Sequence, residues 1–217
     1  MDSPLWNTGE MTRGRSSYHR EIAATNRDAI LVAATQLFLE NGYDRTPLAR
    51  VAEQAGVSRA TLFKQFPTKE ALFEAAVLAA GGSPASEPLD VPTEDFEEGL
   101  AVLGRAYAEL LTRPEMAALM RTVIAESPKF PELRERTFDF GTLPVLTALG
   151  RYLRDAQAAG VAEIDDPEMA SAQFLGMIAS SVFWPRLVHG TWSITDDEQA
   201  RVVVEAARTI AARYATP

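Results

Sequence analysis

The 217-residue sequence predicts an all-α fold in two parts: an N-terminal helix-turn-helix three-helix domain and a C-terminal helical bundle. Three observations carry this reading. Apolar residues recur at intervals of three and four along most of the chain, and no stretch alternates with the two-residue period of a strand. Residues 46–69 read as a short helix, a glycine turn and a second short helix. Residues 81–92, GGSPASEPLDVP, are rich in proline and glycine and poor in large apolar groups, which marks a linker.

Residues 1–26 are polar and carry Pro4, Gly9 and Gly14, so they read as a disordered or flexible arm. Arg13, Arg15 and Arg20 suit either a solvated tail or an arm that follows DNA into a minor groove. Arg27 to Asn41 is an amphipathic helix with Ile30, Ala33, Ala34, Leu37 and Phe38 on its buried side, and Gly42 ends it. Thr46 suits the N-cap of the next helix, and Pro47 its first position. Leu48, Val51, Ala52 and Ala55 share its inner face, and Gly56 permits the left-handed backbone that closes it. Ser58 caps a following helix that buries Leu62 and Phe66. Pro67 stops that helix, and Thr68 caps another, with Leu72, Phe73 and Val77 facing inward as far as Ala80.

Beyond the linker, Thr93 caps a helix to about Thr112, with Glu94, Asp95, Glu97 and Glu98 at its positive end. Pro114 opens a helix to Glu126. Pro131 opens a longer segment to Ala159, bent near Gly141 and Pro144. Asp166-Pro167 starts a helix to about His189 with a kink at Pro185, and Thr195 to Glu198 is a capping box for a last helix to Tyr214. The expected domains are a flexible arm (1–26), a helix-turn-helix domain (27–80), a linker (81–92) and a ligand-binding and dimerisation body (93–217).

Composition narrows the chemistry. The chain has no cysteine, so disulfides and thiolate catalysis are excluded. His19 and His189 are not spaced as a zinc pair, and there is no nucleophile elbow, phosphate loop or dinucleotide fingerprint. Asp165-Asp166 precedes Pro167 and reads as helix capping rather than a cation site. No metal, no cofactor and no enzymatic activity are expected. The N-terminus lacks a signal-peptide core, and no apolar run reaches about 18 residues, so a cytoplasmic protein with no membrane partner is expected.

The net charge of −9 is unevenly spread. Residues 11–69 hold nine Lys or Arg against five Asp or Glu, a net of +4. Residues 81–217 hold twelve against twenty-one, a net of −9. A basic head on an acidic body suits a DNA-binding module joined to a separate partner domain.

Spacing alone lets residues 46–69 be either a DNA-reading helix-turn-helix or an ordinary helical hairpin. Ala52 supplies the short side chain that closely crossing helices need, and Arg59, Thr61, Lys64 and Gln65 can donate to phosphates or base edges. Three further stretches follow in order: AATQLFLENGY (33–43), VAEQAGVS (51–58) and TLFKQFPTKEAL (61–72). On these motifs the chain from Arg27 to Val77 resembles the DNA-binding domain of tetracycline-repressor-like (TetR) regulators. The segment from Ser127 through Leu187 is more loosely similar to the AefR-like branch of their ligand domains.

The resemblance implies a homodimer on pseudo-palindromic double-stranded DNA and a small, often apolar, effector in the body. The candidate phosphate contacts are Thr46, Thr68 and Lys69, and the candidate base contacts are Arg59, Thr61 and Lys64, with Ser58, Ala60, Phe63 and Gln65 completing the DNA-binding set. Family members commonly carry tyrosine where Phe63 stands and histidine where Gln65 stands. Phe63 cannot donate to phosphate; Gln65 can. Tyr107, Met116, Met120, Phe138, Phe140, Phe174 and Met177 are candidate ligand-lining residues, and each also suits plain core. Phe183, Trp184 and Leu187 on one helix, and Val203, Ala207 and Ile210 on the last, are candidate dimer contacts. Burial inside one subunit is the alternative for the second group. The expected function is a transcriptional repressor released from its operator by a small apolar ligand. The alternative is a helical small-molecule binding protein or enzyme that does not bind DNA.

Overall fold

The computed structural model describes residues 8–80, 91–131 and 147–216, with backbone alone for 8–20 and Ala80. The chain divides into two compact units, Met1–Ala76 and Val77–Pro217. Among the described residues the regular structure is helical, and an isolated antiparallel bridge joins Ala162 to Ala215. The expected linker falls mainly on residues 81–90, and the expected bend on Gly141 and Pro144, all outside the described residues.

The first unit holds α1 (Thr8–Asn41), α2 (Leu48–Gln54), α3 (Arg59–Gln65) and the larger part of α4 (Lys69–Ala80). α1 begins at Thr8, not near Arg27, so the stretch read as a flexible arm is helical from Thr8 on. Glu10, Met11, Arg13, Arg15, Arg20, Glu21, Ala23 and Ala24 are good or fair helix formers and outweigh Gly9 and Gly14. Pro47, not Thr46, is the N-cap of α2. Thr46 turns inward, and its hydroxyl donates to the carbonyls of Gly42 at 2.8 Å and Leu37 at 3.1 Å. A buried hydroxyl needs an acceptor, and the C-terminal end of α1 with the turn after it supplies two.

α2 closes in a Schellman motif. The amide of Val57 reaches the carbonyl of Ala52 at 3.0 Å, that of Gly56 reaches Glu53 at 3.1 Å, and Gly56 has φ of 68°. Ser58 Oγ accepts the amide of Thr61 at 3.0 Å and starts α3. The core of the unit is an aromatic trio. Phe73 meets Phe38 edge-on at 4.9 Å and Tyr43 edge-on at 5.3 Å.

The second unit contains α5 (Phe96–Thr112), α6 (Pro114–Glu126), α7 (described over 147–158), α8 (Pro167–Val182), α9 (Trp184–Val188) and α10 (Asp196–Tyr214). Asp95 rather than Thr93 caps α5, its carboxylate accepting the amide of Glu98 at 3.0 Å. Asp166 caps α8, and Thr195 and Glu198 close a reciprocal capping box on α10. The helix expected to run to His189 is two helices that break at Phe183. Pro185 has no amide hydrogen to continue the ladder.

α5, α8 and α10 pack against one another. A Cβ at Gly104 on α5 would lie 2.8 Å from Val203 Cγ1 and 2.9 Å from Phe174 Cζ, so the three helices close up where α5 has no side chain. Val203, Ala206, Ala207 and Ile210 are buried within the subunit. This corrects the expectation that Val203, Ala207 and Ile210 meet a partner: α10 spends that apolar face covering α5 and α8 of its own chain.

Gly104→Ala should lower the melting temperature. Alanine is the better helix former by about 1 kcal/mol, but overpacking a closed core costs about 1–3 kcal/mol. An unchanged or raised melting temperature would contradict the packing.

The Tyr152 hydroxyl donates to the Phe96 carbonyl at 3.2 Å and lies 3.3 Å from that of Pro92. Burial and the nearby Asp95 charge push its phenol up from 10.0 to about 12. The neutral phenol is favoured in the fold, so its contribution is complete below pH 10.0 and is lost as pH rises toward about 12. Denaturant titrations across this window should show a shallower loss of stability in Tyr152→Phe than in the wild type.

Candidate nucleic-acid interface

α3 has seven residues and is too short to hold a helical conformation unaided. Leu62 and the C-cap Phe66 are buried and fasten it to the unit. Its other side carries Arg59, Ala60, Phe63 and Lys64, all exposed. Thr61 is half-buried, and its hydroxyl lies 2.8 Å from Ser58 Oγ, so the two hydroxyls share one hydrogen bond at the helix start. The outward face therefore presents two cations and a ring within two turns. Phe63 is 48% exposed, a large apolar group facing outward with no hydrogen-bonding atom.

The other predicted residues divide. Thr68 is exposed and caps α4, accepting the amide of Ala71 at 3.2 Å. Lys69 Nζ donates to the Asp44 carbonyl at 2.9 Å and sits 4.6 Å above the Tyr43 ring. These contacts place the ammonium beside the α1–α2 turn. Gln65 turns back, its amide donating to the Ala23 carbonyl of α1 at 2.8 Å. Thr46 leaves the candidate set, because it is 1% exposed and its hydroxyl is spent on α1. The motifs also missed Arg27. Its guanidinium stacks over the Phe66 ring at 4.5 Å, a tertiary contact with no local sequence signal.

In the second unit Tyr107, Met116 and Phe174 are buried, and Met120 is half-buried against the same core. Burial pushes the Tyr107 phenol up to about 12. Phe138 and Phe140 lie outside the described residues. Met177 lines a surface groove of about 250 Å³ between α8 and α10, with Ser181, Arg201, Val202 and Glu205. Phe183 and Leu187 are buried, whereas Trp184 is 58% and Val188 74% exposed. Arg186 ties α9 to the end of α5, donating to the Thr112 carbonyl, and Arg121 of α6 donates to the Arg186 carbonyl at 2.8 Å. Among the described residues no group of three or more acidic or histidine side chains could hold a metal ion, and no helix is long and apolar enough to cross a membrane.

Two family models match. The one for bacterial regulatory proteins of the tetR family covers residues 30–76, and the one for the AefR-like transcriptional repressor C-terminal domain covers residues 98–216. The HTH-type transcriptional repressor BepR of Brucella suis biovar 1 (strain 1330) is 28% identical over 158 residues, 65% of this chain and 76% of its own. The solved structure of the flavonoid-responsive regulator FrrA is 30% identical with a TM-score of 0.70, over 88% of this chain and 97% of that one. A solved TetR-family regulator structure from Mesorhizobium loti MAFF303099 is 25% identical with a TM-score of 0.73, over 89% and 98%. These relatives regulate transcription and are not enzymes. With one model matched across the helix-turn-helix and another across more than half its length, the chain belongs to the TetR family of bacterial transcriptional regulators, with an AefR-like repressor C-terminal domain.

Proposed function

We propose that the protein is a homodimeric repressor whose α3 enters the major groove and whose body binds a small apolar ligand that releases it from its operator. The carrying observation is α3 itself, buried through Leu62 and Phe66 and presenting Arg59, Phe63 and Lys64 outward. Arg59, Thr61 and Lys64 read base edges, and Ser58, Ala60 and Phe63 lie along the groove wall. Thr68 and Lys69 meet phosphate, Lys69 by swinging from the Asp44 carbonyl. Two-fold symmetry matches a pseudo-palindromic site with half-sites about 34–36 Å apart or a multiple of that. The protein acts in the cytoplasm, where its operator is.

For the dimer, the outer side of α8 is the supporting observation. Ala172, Gly176 and Ser180 are exposed at four-residue spacing, next to the exposed Met169 and Trp184. Small residues in a row let a second helix approach closely. The interface we propose uses this side with Trp184 and Val188, not the buried residues of α10. For the ligand, Tyr107, Met116, Met120 and Phe174 offer rings and thioethers in the body, and the likeness to a flavonoid-responsive regulator favours a ring-bearing effector. Ligand need shift the two readers' spacing by only a few kcal/mol of differential affinity.

In a gel shift with the DNA upstream of its own gene, Arg59→Ala and Lys64→Ala should each weaken binding by roughly tenfold or more at fixed salt. Wild-type affinity should fall steeply with salt. Variants that bind like the wild type, or a flat salt response, would refute the assignment. Gly176→Arg points into open space, so the subunit should fold. Sedimentation should then show a monomer; a dimer of unchanged strength would place the interface elsewhere.

A further inference from the structure

One ring of the first unit is not used by its fold. Phe38, Tyr43, Phe66 and Phe73 are buried, and each has a stacking partner: the first two and Phe73 hold one another, and the Arg27 guanidinium lies over Phe66. Phe63 is the exception. It is 48% exposed, and among the described residues no ring or cation stacks on it. An open ring has apolar area still to cover, and it offers no hydrogen-bonding atom with which to do anything else.

Its place on α3 narrows what can cover it. At about 100° per residue, Arg59, Phe63, Ala60 and Lys64 come round in that order over about 140°. All four are exposed. The face is therefore apolar in the middle and cationic at both edges. Among the described residues no carboxylate pairs with Arg59 or Lys64. Two open cations favour a polyanion over an apolar protein surface as the occupant. Of the groups that bases present in a major groove, the apolar one is the C5-methyl of thymine; the rest are donors and acceptors that a phenyl ring and a methyl cannot satisfy.

We propose that Phe63, with the Ala60 methyl beside it, is a specificity-determining residue that takes the C5-methyl of a thymine in each operator half-site. The proposal rests on the reading of α3 as a DNA reader. It adds a base preference that hydrogen bonding does not supply: the cations at the edges hold the duplex, and the apolar strip between them rewards a methyl group at one position.

Removing that methyl from the DNA and the ring from the protein tests it. The full-length wild type selects a duplex from a random pool, and the selected half-site should hold an invariant thymine. Each thymine is then replaced in turn by deoxyuridine, which lacks the methyl and keeps the same donors and acceptors. At one position this should weaken wild-type binding roughly fourfold per half-site, the worth of one buried methyl. Phe63→Ala should melt like the wild type, since the ring is exposed. It should bind the thymine and deoxyuridine duplexes alike. Its slope of log affinity against log salt should equal that of the wild type, because no charge is removed. A half-site without an invariant thymine, a wild type indifferent to every replacement, or a fourfold difference that persists in Phe63→Ala would each overturn the proposal. If one of these occurs while Arg59→Ala still weakens binding, the reading of α3 stands without it. If the wild type selects no duplex, both fail.

Discussion

The first unit depends on the burial of Leu62 and Phe66. A seven-residue helix has almost no stability alone, since the nucleation cost is not recovered over so few hydrogen bonds. Its conformation is set at one end by the Ser58 cap and at the other by Phe66, which leaves helical geometry as it enters the core. The polar residues on the opposite side then have fixed directions at no further ordering cost. Gln65 and Arg27 extend the same logic to α1, by a hydrogen bond and by stacking on the anchor ring.

The second unit uses a different device. Its central contact is a missing side chain: at Gly104, α5 comes within van der Waals reach of Val203 on α10 and Phe174 on α8. The helices that meet there, α5, α8 and α10, are capped at their N-termini by Asp95, Asp166 and the Thr195–Glu198 box. Glu198 gains from the amide and hydroxyl of Thr195, which hold its carboxyl below the ordinary value. The last turn of α10 is joined to the loop after α7, Glu163 bonding the Tyr214 carbonyl at 2.8 Å and Thr216 bonding that of Val161 at 3.1 Å.

Residues with local causes were legible. Gly56 has the left-handed backbone expected from its place after the periodic residues of α2. Ser58, Asp166 and Thr195 cap the helices that follow them. Residues whose partners lie far off in the chain were not legible. Thr46 has the chemistry of a cap, yet its hydroxyl is claimed by carbonyls of α1. Gln65 has the chemistry of a DNA contact, yet Ala23, far off in sequence, takes its donor. Val203, Ala207 and Ile210 form an apolar stripe that looks the same whether its cover is α5 and α8 or a second subunit.

By itself, then, the sequence determined the all-α class, the helix-turn-helix with its Gly56 turn and Ser58 cap, and a basic head on an acidic body. Each follows from periodicity, backbone preference or charge within a few residues. Only the tertiary structure decided which polar groups are spent inside the unit, which apolar stripe is internal, and that Gln65 and Arg27 join α1 to the end of α3. Those outcomes depend on pairing between residues remote in the chain, and a side chain's type states what it can bond, not which neighbour reaches it first.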